Sequence, residues 1–280
     1  MRTIHTDAII TAVKNMCIEA NCCLSGDISD ALRKARQSEQ SPVGCDLLDQ
    51  ICKNADIARS RQMPICQDTG MAVFRVQVGQ DVHIVGAPLD DALNEGVRRG
   101  YQEGFLRKSV VADPIRRINT NDNTPAVIYY EIVPGDRLRI TFAPKGFGSE
   151  NMSAVKMLKP AQGLDGVIEF VLETVDKAGS NPCPPMVVGV GIGGTMEKAA
   201  LLSKFALMRP IDMRNENAFY GDLETLLLEK INQLGIGPQG LGGTTTALGV
   251  NVEVFATHIA GLPVAVNISC HATRHGEIVL

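Results

Sequence analysis

The sequence lacks tryptophan, and phenylalanine and tyrosine leave the aromatic content at only 4%, so aliphatic and small side chains must fill the core. It also lacks a basic excess, because 27 Lys and Arg stand against 31 Asp and Glu and give a formal net charge of −4. A weakly acidic chain without a long basic run is not expected to bind nucleic acid through its phosphates. No apolar run approaches the roughly 20 residues that cross a bilayer, so no membrane segment is expected.

The sequence also lacks the marks of export and any CxxC motif. Its N-terminus carries Asp7 early and has no small-residue cleavage site, so no signal peptide is expected. None of the eight cysteines forms a CxxC pair, which disfavours a thioredoxin-type redox pair and a zinc knuckle. A chain of 280 residues can bury a sizeable core without a disulfide framework, so we expect a cytoplasmic protein.

Apolar periodicity divides the chain into a helical beginning and a mixed remainder. Helical spacing predicts helices over 6–24, 25–35 and 44–60. Further along, apolar-polar alternation and short apolar runs predict strands, and helical spacing predicts helices among them. The predicted strands are 71–78, 127–133, 137–142, 186–190, 246–256, 264–268 and 277–280, and the predicted helices are 89–105, 164–178, 196–207 and 223–234.

The order of these elements indicates the fold class. Strands 127–133 and 137–142 flank a Pro-Gly-Asp turn, which predicts a hairpin. Helices come first and strands recur later without steady alternation, so the expected class is α+β, or mixed α/β. We expect one catalytic domain over 1–280, with a helical part of about 1–62 and a part of about 63–280 that carries the site.

The cysteines separate into two groups by their surroundings. Five lie in or beside the predicted N-terminal helices and are expected to be small apolar residues near buried faces. These five are Cys17, Cys22, Cys23, Cys45 and Cys52. The other three, Cys66, Cys183 and Cys270, each lie in a loop beside a predicted strand. Three thiolates that converge from loops suit an iron–sulfur cluster or a catalytic metal, although spacing alone leaves a structural role open.

Two glycine-rich segments match GxGxxG and suggest a different class of protein. The first, 189–194, follows a predicted strand and precedes a helix, as a dinucleotide-binding loop does. The acid expected at the end of a second strand is missing, because Asp212 directly follows a helix. The second, 235–240, contains Pro238 and follows a helix. Anion-binding or simple tight turns therefore remain the alternative interpretation of both.

Six segments occur in an order and spacing that resemble the class I fumarate hydratases. The segments are PICQDTGM, NTNDNTPA, KGFGSEN, NPCPPMVVGVGIGGT, GIGPQGLGG and NISCHATRH. They resemble the N-terminal, iron–sulfur part of that family, or its separate alpha subunit in two-subunit enzymes. L(+)-tartrate dehydratase alpha subunits are close relatives of the family. The resemblance runs from about Cys66 to the C-terminus.

The resemblance implies a cofactor and a pair of substrate residues. Cys66, Cys183 and Cys270 match the three ligands of the family's [4Fe–4S] cluster. Gln67 and Asp68 match its substrate-contacting pair, and Asp68 is a candidate acid near the leaving hydroxyl.

Further substrate-binding residues are implied in the same way. Arg107 matches an arginine that clamps a substrate carboxylate, a bidentate task suited to a guanidinium group. His258 matches a histidine of the active site and is, with Asp68, a candidate catalytic residue. The family's glycine-rich substrate loop is matched by Gly146, Ser149, Glu150 and Asn151.

The implied reaction is the reversible hydration of fumarate, a small dicarboxylate, to (S)-malate. The family's proposed base lies in a C-terminal domain, whereas this sequence stops at Leu280. We therefore expect an alpha subunit that needs a separate beta subunit as its partner. KGFGSEN and NISCHATRH favour fumarate, with L(+)-tartrate or mesaconate as alternative substrates. An NAD-dependent oxidoreductase, based on 189–194, is the alternative from another class, and a non-catalytic scaffold is a third.

Overall fold

The structure of the protein, a computed structural model, describes residues 2–280. The predicted mixed α+β class is confirmed. In chain order the elements are β1 (Arg2–His5), α1 (Thr6–Cys22), α2 (Gly26–Ser38), α3 (Pro42–Arg61), β2 (Met71–Gly79), β3 (Val82–Val85), α4 (Leu89–Glu103), β4 (Val127–Val133), β5 (Leu138–Lys145), α5 (Phe147–Glu150), β6 (Ala154–Leu158), α6 (Gly163–Ala178), β7 (Met186–Gly193), α7 (Met196–Ala206), α8 (Ala218–Asn232), β8 (Ala247–Phe255), β9 (Leu262–Ser269) and β10 (Gly276–Val279). Among the described helices, none is both long and apolar enough to span a bilayer.

Contacts between residues group the chain into two compact units. The first unit consists of Met1–Ser25, Ala55–Phe147 and Arg274–Leu280. The second unit consists of Gly26–Asn54 and Gly148–Thr273. Each unit takes segments from both sides of residue 62. The division into a helical part of about 1–62 and a site-bearing part of about 63–280 stays a prediction.

The first unit is built on a sheet with the strand order β10-β5-β2-β4 and a separate parallel pair of β1 with β3. Helices α1 and α4 pack closely against each other because glycines lie where they meet. A Cβ atom on Gly96 would lie 2.7 Å from the Val13 side chain, and one on Gly100 would lie 2.7 Å from Cys17. Cys17 is fully buried, as predicted, and burial raises the pKa of its thiol.

The predicted hairpin of β4 and β5 is wrong, because β2 lies between these two strands. β4 pairs in parallel with β2, and β5 pairs with the other edge of β2 in antiparallel fashion. The turn between β4 and β5 passes over the end of β2, where Gln80 N–H donates to the Val133 carbonyl (2.8 Å). The Pro-Gly-Asp signal was therefore a true turn, but its two strands are separated by an earlier segment of the chain.

The second unit is built on a sheet with the strand order β6-β9-β7-β8. β7 pairs in parallel with β8 and in antiparallel fashion with β9. The start of β7, 186–190, is completely buried, which explains why its sequence is a continuous apolar run. Helix α7 packs on β7 and β9, while α8 packs on β8.

The first GxGxxG segment is not a nucleotide-binding loop. Gly189 and Gly191 lie inside strand β7, not after it. A Cβ atom on Gly189 would collide with the Ser203 carbonyl, and one on Gly191 would collide with the Ala199 carbonyl. The glycines therefore allow helix α7 to approach the strand, and the oxidoreductase interpretation loses the feature on which it rested.

Glu39, directly after α2, is a buried carboxylate that holds a glycine-rich loop of the second unit. It is 7% exposed and accepts N–H groups from Ser41 (2.9 Å), Thr244 (2.9 Å) and Thr245 (2.8 Å). Burial raises the pKa of this carboxyl, but the donated N–H groups outweigh burial and hold the pKa at about 2, below its ordinary value of 4.5. A Cβ atom on Gly243 would lie 2.8 Å from Glu39 Oε1, so the loop needs glycine there.

We expect Glu39→Gln to lower the free energy of unfolding by about 2 kcal/mol at neutral pH. Because the folded pKa lies below the unfolded one, the ionised carboxylate stabilises the fold above pH 4.5 and loses this effect as the pH falls towards about 2. Urea unfolding at a series of pH values measures the difference. Glu19→Gln, an exposed change on α1, is the control. A Glu39→Gln variant with the urea midpoint of the parent at pH 7 would contradict the prediction.

Candidate active site

The first cysteine loop, Cys66–Gly70, directly precedes strand β2 in the first unit. The backbone N–H of Asp68 points at the Cys66 sulfur (3.4 Å), and the Cys66 thiol lies 3.4 Å from Gln67 Oε1. Cys66 is partly exposed and Gln67 is exposed. The N–H group and the amide oxygen fix the direction of the sulfur, so the loop offers an accessible sulfur ligand.

Three consecutive carbonyl groups of this loop, 68–70, accept hydrogen bonds from buried side chains. Arg274 donates to the Asp68 carbonyl (2.9 Å). The Tyr101 hydroxyl donates to the carbonyls of Thr69 (2.7 Å) and Gly70 (3.0 Å). The Asn123 side-chain amide also donates to the Gly70 carbonyl (3.2 Å). Burial, the largest cause, raises the pKa of the Tyr101 hydroxyl, so it remains a neutral donor. The loop is therefore held in one backbone conformation before any ligand binds.

The Asp68 carboxylate joins two of the predicted motifs. Its Oδ1 accepts the Gly70 N–H (2.9 Å), and its Oδ2 accepts the N–H of Phe147 (3.0 Å) at the start of α5. A Cβ atom on Gly146 would lie 3.3 Å from Asp68 Oδ2, which is tighter than an ordinary contact. The fold thus brings Asp68 and Gly146 together, as the predicted site requires.

Arg107 belongs to the same group of residues. It follows α4, and its carbonyl accepts the Thr69 hydroxyl (3.0 Å), so its backbone is tied to the Cys66–Gly70 loop. Its side chain is exposed. An exposed guanidinium on a fixed backbone can bind a carboxylate from solution.

Cys183 and Cys270 lie in neighbouring loops of the second unit. The N–H of His271 donates to the Cys183 carbonyl (3.3 Å), and His271 Nδ1 lies 3.0 Å from the same oxygen. Gln239, from the GIGPQGLGG motif, donates its backbone N–H (2.8 Å) and side-chain amide (2.7 Å) to the Pro184 carbonyl. The Cys183 side chain is exposed and its φ is +54°, a left-handed conformation that costs about 1 kcal/mol in a residue with a Cβ.

Glu150 is the acidic residue of the predicted substrate loop, and its carboxylate is bound inside the second unit. Lys204 of α7 donates to both of its oxygens (2.5 Å), and Asn267 of β9 donates to Oε2 (3.2 Å). Burial, the largest cause, lowers the pKa of Lys204 against the opposing effect of Glu150. The neighbouring Ser149 is buried and Asn151 is exposed. The Glu150 carboxylate therefore fixes α5 to α7 and β9.

His258 lies in the exposed loop between β8 and β9 of the second unit. Its Nδ1 accepts the Ala260 N–H (3.1 Å), so Nε2 carries the proton in the neutral ring. The neighbouring Ile259 is 92% exposed. The catalytic role of His258 stays a prediction.

Several residues that hold the site were missed by the sequence interpretation. Asn123, Asn267 and Arg274 lie inside quoted motifs, so the motifs themselves were the signal. Lys204 stands within the apolar run of α7, which is typical of a buried ion pair. Tyr101 shows no local signal, because its partners lie about 30 residues away in the sequence.

The oxidation state and exposure of the cysteines decide whether they fit a cluster as ligands. All eight, which lie within the described chain, are thiols and not disulfides. Within residues 2–280 no group of three or more Cys, His, Asp or Glu could hold a single metal ion. A four-iron cluster makes a different demand, since each thiolate binds its own iron and the ligands need not meet at one point. Three at least partly exposed thiols in loops fit that donor set.

Comparisons with known proteins agree with these motifs. The family model described as fumarate hydratase (Fumerase) matches residues 10–279. A Methanocaldococcus jannaschii protein, provisionally named L(+)-tartrate dehydratase subunit alpha, is 42% identical over 91% of this chain and 92% of its own length. The L(+)-tartrate dehydratase alpha subunits of Escherichia coli and Shigella sonnei are 36% and 35% identical over 91% of this chain and 84% of their own length. The chain therefore belongs to the fumarate hydratase (Fumerase) family and is a hydro-lyase.

Proposed function

We propose that this chain is the alpha subunit of a [4Fe–4S]-dependent enzyme that reversibly hydrates fumarate to (S)-malate with a beta subunit. The observation that carries the proposal is the group around the Asp68 carboxylate. This carboxylate is held by two backbone N–H groups next to Cys66 and Gly146, on a loop bonded to the Arg107 carbonyl. An acid, a thiol ligand and a carboxylate-binding cation are the parts that such a hydration needs.

Cys66, Cys183 and Cys270 are the proposed ligands of the cluster. Family membership and the donor chemistry of the three loop thiols support this assignment. When bound, a cluster with three protein ligands supplies one iron that acts as a Lewis acid towards a hydroxyl or carboxylate oxygen.

The chain's own residues are assigned to binding and proton transfer. Arg107 binds one carboxylate of the substrate through its exposed guanidinium, and Gln67 donates its amide to the same dianion. In the dehydration direction, Asp68 gives a proton to the leaving hydroxyl as the C–O bond breaks. A base removes the C3 proton, the C=C bond forms and water leaves. His258 is proposed as a further active-site residue.

The glycine-rich segment from Gly146 to Asn151 is proposed to line the substrate. Asp68 fixes its beginning, and the Lys204–Glu150 pair fixes its end. Gly146, Ser149 and Asn151 are then the groups that contact the dianion, while Glu150 holds the segment in place. A rigid segment of this kind positions a substrate without losing loop entropy on binding.

The base is proposed to come from a beta subunit. The similar proteins of Escherichia coli and Shigella sonnei are named as alpha subunits, and a name of this kind indicates a second type of subunit. We place the partner's contribution at C3 of the substrate, from which this base removes the proton.

L(+)-tartrate is the second candidate substrate, because the similar proteins carry the name of tartrate dehydratase. Tartrate differs from malate by one hydroxyl on C3, and mesaconate differs from fumarate by one methyl group. The KGFGSEN and NISCHATRH motifs support fumarate.

The test combines the chain with its beta subunit after anaerobic reconstitution with iron and sulfide. We expect kcat/KM for fumarate and malate to exceed that for tartrate and mesaconate by at least about tenfold. We also expect the alpha chain alone to be inactive although it retains iron. A higher kcat/KM for tartrate than for fumarate and malate would identify tartrate, the second candidate, as the substrate. A normal rate of fumarate hydration by the alpha chain alone would contradict the need for a partner.

A further inference from the structure

Arg274 is a buried cation behind the Cys66–Gly70 loop. It is 4% exposed, and its guanidinium donates to the Asn21 side-chain oxygen (2.8 Å) and to the Asp68 carbonyl (2.9 Å). Its Nε is buried without a hydrogen-bond acceptor. Within residues 2–280 the structure records no salt bridge of Arg274 with a carboxylate.

The orientation of Asn21 shows that this arrangement is built into the fold. Asn21 is fully buried at the end of α1, and its amide nitrogen donates to the Cys17 carbonyl (2.9 Å). The amide oxygen must therefore face Arg274. The backbone carbonyl of Asn21 also accepts the N–H of Ile65, the residue just before Cys66 (2.9 Å). Asn21 thus holds the guanidinium through its side chain and the entrance to the cysteine loop through its backbone carbonyl.

Burying a guanidinium that hydrogen-bonds only to neutral oxygens costs free energy, because the charge loses its hydration and has no directly paired opposite charge. The charged group nearest along its hydrogen bonds is the Asp68 carboxylate, and that carboxylate is directed at the N–H groups of Gly70 and Phe147. That carboxylate offsets part of the guanidinium's charge, and the remainder acts through the loop towards Cys66 and Gln67.

We propose that Arg274 is a positioning residue that fixes the Asp68 carbonyl and places a permanent positive charge behind the Cys66–Asp68 loop for binding small anions. The identification of the anion as a dicarboxylate rests on the proposed function, whereas the charge and the hydrogen bond do not. Arg274 acts through the loop and does not itself touch the substrate.

The charge is tested by the alkylation of Cys66 in the full-length, metal-free chain. Iodoacetate is an anion and iodoacetamide is neutral, but both react with the same thiolate. The ratio of their rates therefore reports the local potential and is independent of the fraction of thiol that is ionised. The tryptic peptide Gln62–Arg75, or Gln62–Arg98 when Arg75 is replaced, contains Cys66 as its one cysteine, so mass spectrometry reads this site alone.

We expect Arg274→Gln to lower the iodoacetate to iodoacetamide ratio at Cys66 by at least about threefold, and Arg274→Lys to retain it. Arg75→Gln is the matched control, because it removes an arginine of the same unit whose charge is paired with Glu131. If Arg274→Gln does not fold, Asn21→Asp serves instead, since it sets a carboxylate against the guanidinium and should lower the ratio equally. An unchanged ratio in the folded variant, or an equal fall in Arg75→Gln, would overturn the charge assignment.

The hydrogen bond is tested separately by amide exchange. A lysine cannot keep both hydrogen bonds of the guanidinium. In Arg274→Lys the backbone amide hydrogens of Gly70 and Phe147 should therefore exchange with solvent at least about tenfold faster than in the parent. Both amides are bound by the Asp68 carboxylate, which the Arg274 bond holds in place. Unchanged exchange at both amides would overturn the positioning role. Neither measurement uses activity, so an enzyme that fails to hydrate fumarate would refute the proposed function and leave this inference standing.

Discussion

Replacing Cys66, Cys183 or Cys270 by serine is expected to abolish both iron retention and hydro-lyase activity. A serine hydroxyl is a hard and weakly acidic ligand, whereas iron in these clusters is held by thiolate sulfur. Loss of one of three ligands should release the cluster completely. The measurement is iron and acid-labile sulfide per chain after anaerobic reconstitution, together with the rate of fumarate hydration in the presence of the beta subunit.

Cys52→Ser is the matched control for this experiment. Cys52 is a partly exposed thiol, like Cys66 and Cys270, but it lies in helix α3. We expect this variant to bind as much iron as the parent and to keep its activity. Equal loss of iron from Cys52→Ser and Cys66→Ser would contradict the ligand assignment, and so would full iron binding by Cys183→Ser.

Asp68→Asn is expected to lower kcat by at least about 10²-fold, because the substituted amide cannot supply a proton to the leaving hydroxyl. The change also has a structural cost. The carboxylate accepts N–H groups on both oxygens, and an asparagine must present its NH₂ group to either the Gly70 or the Phe147 N–H. Losing this hydrogen bond should lower the free energy of unfolding by about 1–2 kcal/mol. Steady-state rates and urea unfolding measure the two effects.

Asp113→Asn tests whether the loss of kcat is specific to Asp68 among the loop aspartates of the first unit. Asp113 is also a loop aspartate of the first unit, and its Oδ1 accepts the N–H groups of Ile115 (2.9 Å) and Arg116 (2.6 Å). We expect this variant to keep the parent kcat. An Asp68→Asn enzyme with nearly normal kcat, or an equal loss of kcat in Asp113→Asn, would argue against Asp68 as the acid.

Local periodicity predicted most individual elements because it depends on neighbours within one or two turns. Helix α4 was expected over 89–105 and spans Leu89–Glu103, and β2 was expected over 71–78 and spans Met71–Gly79. The predicted core role of Cys17 is likewise confirmed by its complete burial. In each case the apolar spacing along the segment is enough to decide which face is buried.

Pairing between segments was the part that local patterns could not supply. The hairpin of β4 and β5 was wrong because β2, some 50 residues earlier in the chain, lies between them. The segment 189–194 matches GxGxxG between a predicted strand and a predicted helix, but its first glycines continue β7 beneath α7. Both outcomes depend on which distant segment packs alongside, and no short window of sequence contains that information.

The sequence by itself determined the family and the hydro-lyase class and predicted the loops of the site, because cysteines and glycine-rich motifs at fixed places need no contact map to be recognised. Only the tertiary structure decided how those loops are held. Arg274 bonds the Asp68 carbonyl across 206 positions, and Lys204 binds Glu150 across 54 positions. The physical reason is that a buried polar group must find a partner within about 3 Å in space, whatever its distance along the chain.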